Sequence, residues 1–175
     1  MAKRLYIFIG RPFAGKTTVA KALSQKIEAI YVGLDEILAE QNVGTAGERL
    51  RKVTFDMGHE IGAKRTRAGL QKGKTVVYDS TIYLETRRKF RQIAEECGAE
   101  AIIILVNTPQ DVTYQRWINN QTKQVRQIQH PEQFMEFSES FEPPDETEKH
   151  IIFNIGDNIA EWIEANIEVN LEIDC

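Results

Sequence analysis

The chain has 175 residues, 42% of them hydrophobic, a length that suits one domain built around a single core. Its formal net charge of −4 argues against a broad nucleic-acid surface, which usually makes a whole domain basic. No apolar run approaches the roughly 20 residues of a membrane span, and no signal-peptide pattern opens the chain. Two cysteines are too few for a disulfide framework. We therefore expect a single cytoplasmic domain over residues 1–175, with no membrane partner.

The charges are unevenly distributed along the chain. Residues 131–175 contain one of the 22 lysines and arginines but 13 of the 26 acidic residues. The basic excess before residue 131 could steer an anionic ligand, although a single bound anion would account for part of it.

The first motif is a phosphate loop between a strand and a helix. Residues 5–9 form a short apolar run typical of a buried parallel strand, and residues 19–27 carry apolar side chains at helical spacing. Between them the sequence fits G-x-x-x-x-G-K-[ST] at every fixed position. The residues expected to bind nucleotide are Gly10, Arg11, Pro12, Phe13, Ala14, Gly15, Lys16, Thr17 and Thr18.

The residue types of this loop suit phosphate chemistry. Glycines let several backbone N–H groups turn inward on a polyphosphate, and the helix that follows adds the positive end of its dipole. Lys16 is expected on the β- and γ-phosphates and Thr17 on Mg²⁺, so ATP and magnesium are the predicted cofactors. A glycine-rich turn with an accidental lysine is the alternative, which the complete motif and its flanks disfavour.

Two further predicted strands end in carboxylates at the same edge of the sheet. Residues 30–34 lead to Asp35 and residues 75–78 lead to Asp79, and parallel α/β sheets bind ligands outside the carboxyl ends of their strands. Asp35 could accept the proton of an attacking hydroxyl or could cap the helix that follows it. Asp79 could order Mg²⁺ or hold a catalytic arginine.

A long helix is predicted from Glu48 to Lys72. The apolar side chains expected to face its core side are Leu50, Val53, Met57, Ile61 and Leu70. We expect the basic side chains of this helix to form a solvated face, as charge runs usually do. Three of its residues are nevertheless candidate substrate contacts: Arg49, Arg51 and His59.

The next helix and strand follow the same alternation. A helix over residues 83–97 is expected to expose Arg87, and the apolar strand at residues 101–106 is expected to be central. Thr108 is expected to cap the helix that carries Arg116.

A polar, glutamine-rich stretch at residues 119–130 cannot order itself without a partner, so a small lid is predicted at about residues 116–130. A short helix over residues 131–141, a fifth strand at residues 150–155 and a last helix complete the chain. The repeated strand–helix units predict a three-layer α/β P-loop NTPase fold, with a five-stranded, mostly parallel sheet and helices on both faces.

With these elements in place, the chain resembles the small P-loop kinases of the nucleoside/nucleotide-kinase-like fold. The resemblance is closest to their zeta-toxin and polynucleotide-kinase-like, AAA-type ATP-binding branch, and it runs from about Leu5 to Ile167. The stretches that carry it are Gly10–Thr18, Asp35, Asp79-Ser80-Thr81, Arg87-Arg88, Asn107-Thr108-Pro109 leading to Arg116, and Phe141–Pro144.

The resemblance implies ATP-dependent phosphorylation of a hydroxyl. In better-known members an aspartate that matches Asp35 is the general base, and a lid arginine that matches Arg116 stabilises the transferring phosphoryl group. The implied catalytic residues are therefore Lys16, Asp35 and Arg116, with Thr17 and Asp79 at the metal.

Two departures from the polynucleotide kinases bear on the acceptor. Those enzymes carry an arginine shortly after the second-strand aspartate and a second arginine in the lid, whereas Glu36-Ile37-Leu38 and Asn119-Asn120 stand here. Lys123 or Arg126 could replace the lid arginine. We therefore expect the acceptor to be a small alcohol, sugar, nucleoside or antibiotic hydroxyl, with the 5′-hydroxyl of a polynucleotide as the alternative.

A protein of a different class, a nucleotide-dependent switch or regulatory ATPase, is the remaining interpretation. An Asn-Lys-x-Asp guanine signature is missing from the sequence, which disfavours a GTPase. Neither the identity of the acceptor nor the oligomeric state follows from the sequence.

Overall fold

The computed structural model describes residues 3–43, 50, 52–123 and 130–167. Its five strands are β1 (Arg4–Ile9), β2 (Ile30–Gly33), β3 (Val76–Thr81), β4 (Glu100–Asn107) and β5 (His150–Asn154). Every strand pairing is parallel, and the order across the sheet is β2-β3-β1-β4-β5. The predicted α/β P-loop NTPase fold is thus confirmed.

Seven helices lie in the part of the chain that the structure describes. They are α1 (Lys16–Lys26), α2 (Leu34–Glu40), α3 (Lys52–Gln71), α4 (Leu84–Glu96), α5 (Gln110–Lys123), α6 (Pro131–Glu139) and α7 (Ile159–Asn166). The predicted lid at residues 116–130 therefore includes the last two turns of α5, while residues 124–129 lie outside the described residues. None of the described helices is both long and apolar enough to cross a membrane.

The sheet separates two apolar clusters. Alternate residues of β1 point to opposite faces, so Leu5 and Ile7 pack with α2, α3 and α4, whereas Tyr6 and Phe8 pack with α1 and α7. Because both faces of the sheet are covered, the interior strands read as continuous apolar runs.

The most apolar strand is not at the centre of the sheet, which corrects one expectation. The central strand is β1, and β4 lies beside it, between β1 and β5. A strand that is covered on both faces of the sheet is hydrophobic, and every interior strand is covered in this way. Hydrophobicity therefore does not tell which interior strand is the central one.

The face of α3 that packs on the protein is formed mostly by small residues, which corrects part of a second expectation, although Leu70 is buried and Ile61 packs on the core as predicted. The residues it buries are Gly58, Gly62, Ala63, Thr66, Gly69 and Leu70. Val53 is 67% exposed and Met57 is 37% exposed, although both were predicted to face the core. Glycines let the helix backbone approach closely, since a Cβ on Gly62 would lie 2.8 Å from the Tyr78 ring.

Arg87 of α4 is buried rather than exposed, which corrects a third expectation. It is 1% exposed, its Nε and Nη2 donate to the two carboxylate oxygens of Glu148 at 3.2 and 2.7 Å, and its Nη1 donates to the Glu142 carbonyl at 2.7 Å. This bidentate pair fixes residues 142–148, which lead into β5, against α4.

Candidate functional site

The phosphate loop joins β1 to α1 in a conformation that needs its glycines. Gly10 and Gly15 both have positive φ angles, +148° and +103°, and a Cβ on Gly10 would lie 2.8 Å from the Val106 carbonyl oxygen. The Ala14 N–H donates to the Arg11 carbonyl at 3.2 Å, which closes the turn. Helix α1 begins at Lys16, so its amino end points at this loop, where an anion is favoured.

Lys16 is buried against the loop that it follows. Its ammonium group donates to the carbonyl oxygens of Gly10 at 2.9 Å and Arg11 at 2.8 Å. Its charge also lowers the pKa of Asp79. The positive charge of Lys16 thus lies at the loop, where the predicted phosphates would bind.

Asp79, at the end of β3, is a buried carboxylate with one oxygen still available. Oδ2 accepts a hydrogen bond from the Tyr31 hydroxyl at 2.9 Å, whereas Oδ1 is buried and has no hydrogen-bond partner among the described residues. The pKa of Asp79 is raised above its ordinary value, chiefly because the carboxylate is buried, and the Asp35 charge adds to this rise. The Lys16 charge and the Thr17 and Tyr31 hydroxyls offset part of it.

The pair of Thr17 and Asp79 fits the predicted magnesium ion. The Thr17 hydroxyl is near enough to the Asp79 carboxylate to lower its pKa, and oxygen atoms of these two kinds suit Mg²⁺. Within the described residues no group of three or more histidine, cysteine or acidic side chains could hold a metal by itself. Magnesium typically takes its other ligands from substrate phosphates and water.

Asp35 lies at the same edge of the sheet as Asp79. Asp79 pairs with Gly33 of β2 and with Phe8 of β1, so the three strands end at one level. Helix α2 begins at Leu34, with Gly33 at its N-cap, so Asp35 lies in the first turn and is not the cap residue. Its carboxylate is exposed at the edge where the phosphate loop lies.

Arg116 of α5 is placed directly on the phosphate loop. Its Nη1 donates to the carbonyl oxygens of Phe13 at 3.1 Å and Ala14 at 3.0 Å. The Thr108 hydroxyl, expected to cap α5, donates to the same Ala14 carbonyl at 2.8 Å. Thus α5 and the end of β4 both hold the loop from the side opposite β3.

Two variable positions of the loop make contacts that sequence reasoning missed. The Phe13 ring packs edge-on against Phe134 of α6, with the ring centroids 6.0 Å apart, and Trp117 of α5 stacks on Phe134 with centroids 4.8 Å apart. The Arg11 guanidinium lies over the Phe141 ring at 5.2 Å. The only indication of these contacts in the sequence is that Arg11 and Phe13 are large side chains at positions where the motif accepts any residue.

His59, one of the candidate substrate contacts, lies beside the core of the protein. His59 Nδ1 lies 2.6 Å from the Tyr78 hydroxyl, and burial lowers the pKa of His59 to about 4. This environment gives His59 a packing role beside the core. Arg49, Arg51 and Arg126 lie outside the described residues.

Several solved structures share this fold. A sugar kinase from Janibacter sp. HTCC2649 is 17% identical, with a TM-score of 0.70 over 93% of this chain and 91% of that one. The APS kinase CysC of Mycobacterium tuberculosis, solved with AMPPNP and APS, is 14% identical, with a TM-score of 0.69 over 96% and 97%. A gluconokinase from Sinorhizobium meliloti 1021 is 13% identical, with a TM-score of 0.63 over 93% and 87%.

These identities are low enough that the likeness concerns the fold alone, which is that of P-loop kinases. Comparison with curated protein sequences gives no match. The sequence itself matches a family over residues 5–144, from the start of β1 to the residues beyond α6, and the family is described as an AAA domain. That stretch covers most of the chain and contains every site residue discussed above, so the protein belongs to the AAA domain family.

Proposed function

We propose that the protein is an ATP-dependent kinase that transfers the γ-phosphoryl group to a hydroxyl of a small molecule. The observation that carries this proposal is the meeting of Lys16, Thr17, Asp79 and Asp35 at the carboxyl edge of β1, β2 and β3. A triphosphate cradle and a second, exposed carboxylate on one edge are what phosphoryl transfer to a hydroxyl requires. The sugar kinase, APS kinase and gluconokinase folds are consistent with it.

The nucleotide half of the site is assigned to the phosphate loop. Its backbone N–H groups and the amino end of α1 would bind the phosphates, and Lys16 would exchange its two carbonyl partners for phosphate oxygens. Thr17 and Asp79 would hold magnesium, which when bound neutralises charge on the β- and γ-phosphates.

Asp35 is assigned to the acceptor hydroxyl. As the hydroxyl oxygen bonds to the γ-phosphorus, its proton passes to the Asp35 carboxylate. The bond from the γ-phosphorus to the bridging oxygen breaks, and ADP leaves with the electron pair. Arg116, which already lies on the loop carbonyls of Phe13 and Ala14, would stabilise the charge of the transferring group.

The charges around Asp35 favour a small acceptor over a nucleic acid. The next residue, Glu36, is exposed and forms an ion pair with Lys21 at 2.6 Å, at a position where polynucleotide kinases would need a cation. The first turn of α2 thus offers acidic side chains and no cation to the phosphates of a polynucleotide, whereas a neutral hydroxyl compound needs no cation there.

The test is a screen of hydroxyl compounds with γ-labelled ATP and magnesium. Transfer that depends on an acceptor should fall by about 10²–10⁴ in Asp35→Asn, because the general base is lost. Lys16→Ala should lose transfer and nucleotide binding together. Glu36→Gln, a neighbouring carboxylate on the same helical turn, is the matched control and should keep transfer close to wild type.

Each other outcome has a defined meaning. ATP turnover that no acceptor stimulates and that Asp35→Asn leaves unchanged would contradict the kinase proposal and favour a nucleotide-dependent switch. Labelling of a 5′-hydroxyl oligonucleotide, with binding that weakens steeply with salt, would replace the small acceptor by a polynucleotide.

A further inference from the structure

Phe13 occupies a backbone conformation that its side chain does not favour. Its φ of +61° lies in the left-handed region, where a Cβ crowds the backbone and where glycine or asparagine is the usual residue. The third variable position of the phosphate loop is therefore conformationally strained, and contacts with residues outside the loop must offset this strain.

Two neighbouring helices hold Phe13 by different parts of the residue. Arg116 of α5 donates to the Phe13 carbonyl, and the Phe13 ring packs against Phe134 of α6. Phe134 is 1% exposed, and Trp117, the residue after Arg116, stacks on it with an interplanar angle of 11°. The backbone and the ring of Phe13 are thus fixed by one interlocked set of side chains.

We infer that Phe134 is a positioning residue for the phosphate loop and acts through the ring of Phe13. The inference rests on the proposed function, since it assumes that the loop binds a nucleotide. A phosphate loop binds only when its N–H groups converge, and affinity falls in proportion to the fraction of molecules in that arrangement. The aromatic contact raises this fraction before the nucleotide arrives, as preorganisation does in other sites.

A second aromatic contact of α6 provides a matched control. Phe137, one turn further along α6, packs edge-on against Phe55 of α3 at 5.2 Å. Phe134 and Phe137 thus fix the same helix to different partners: Phe134 packs on Phe13 of the loop, and Phe137 packs on Phe55 of α3. Phe137→Leu consequently reports what loosening α6 alone does to the loop.

The experiment measures Mg-AMPPNP binding to the full chain by calorimetry, with thermal unfolding as a check of the fold. Phe134→Leu and Phe13→Leu should each weaken binding roughly 2- to 12-fold, the range that one aromatic pair is worth. Leucine disfavours the left-handed conformation as phenylalanine does, so Phe13→Leu removes the ring without relieving the backbone cost. The double variant should bind no more weakly than the weaker single variant, while Phe137→Leu should bind within about twofold of wild type.

Three results would overturn the inference while leaving the kinase proposal intact. They are wild-type affinity in Phe134→Leu, multiplicative losses in the double variant, and an equal loss in Phe137→Leu. Phe13 is half-buried on the loop, so unchanged affinity in Phe13→Leu would also overturn the inference, even if Phe134→Leu unfolds. If the wild-type protein itself fails to bind Mg-AMPPNP, the proposed function falls together with the inference.

Discussion

The Tyr31 hydroxyl donates a 2.9 Å hydrogen bond to Oδ2 of Asp79, between the neighbouring strands β2 and β3. Burial and the negative charge of Asp79 both raise the pKa of Tyr31, so the phenol keeps its proton and is the donor in this pair. The other carboxylate oxygen, Oδ1, has no hydrogen-bond partner among the described residues and so remains available to the proposed magnesium ion. Tyr31, which belongs to no motif, therefore orients the carboxylate that we assign to the metal.

Tyr31→Phe should shift the acid limb of magnesium-nucleotide binding to higher pH. The hydrogen bond favours the charged form of Asp79, so its loss raises a pKa that burial has already raised, and the carboxylate is protonated at a higher pH. Calorimetric titration with Mg-ATP from pH 5 to pH 8 measures the shift. Tyr114→Phe, which removes the hydroxyl of an exposed tyrosine on α5, is the control, and superimposable limbs for Tyr31→Phe and wild type would contradict the assignment.

Arg116→Ala should lower kcat by about 10³-fold or more, with ATP affinity changed by less than about tenfold. The reason is that its charge would act on the transferring phosphoryl group, whereas the Ala14 carbonyl that it holds keeps the hydrogen bond from the Thr108 hydroxyl. Steady-state kinetics with the acceptor found by the screen give both numbers, and Gln115→Ala, an exposed neighbour on α5, is the control. An unchanged kcat would leave Arg116 with its structural role alone.

His59 should make the protein less stable as the pH falls from about 6.5 to about 4. Burial lowers its pKa from the ordinary 6.5 to about 4, so the unfolded chain takes up the proton first and acid favours unfolding. Between pH 7 and pH 5 this should cost about 2 kcal/mol of unfolding free energy. Urea unfolding at both pH values measures it, and His59→Gln should lose that much less on acidification; equal losses in variant and wild type would refute the prediction.

Two glycines of α3 should respond differently to alanine. A Cβ at Gly62 would lie 2.8 Å from the ring of Tyr78, which is stacked on Phe90 with centroids 3.7 Å apart and cannot move aside. Gly62→Ala should therefore cost about 1–3 kcal/mol of overpacking, less the gain in helix propensity. At Gly58 the obstacles are the ends of the Leu34 and Leu38 side chains, which can rotate more readily than a stacked ring, so Gly58→Ala should be closer to neutral. Urea unfolding compares them, and a greater loss at Gly58 would contradict this explanation.

The features that the sequence predicts well are those that local pattern determines. The phosphate loop is one contiguous motif whose flanks must be a strand and a helix, so its place at the end of β1 follows directly. Asp35 and Asp79 follow because parallel strands bring their carboxyl ends to one edge. These local rules were enough to predict the five-stranded sheet and to bring the two carboxylates together.

The features that the sequence predicts poorly depend on contacts between residues far apart along the chain. The sequence places Arg87 in a run of basic residues that is typical of a solvated face. Its partner Glu148 lies 61 residues further along the chain, so the local sequence does not indicate the ion pair. Val53 and Met57 of α3 look apolar and are exposed, whereas the glycines that form the packed face carry no hydrophobic signal. Phe134 lies 121 residues from Phe13, so their contact could not be read from either local pattern.

The buried pair of Arg87 and Glu148 constrains how this protein can be recombined with its relatives. Removing one member of such a pair strands a charge in the interior, at a cost of about 3–5 kcal/mol. A chimera that inherits α4 from one parent and residues 142–148 from another would therefore be viable only if both parents carry compatible halves. Crossover points in any recombination library need to keep these two segments in a single inherited block.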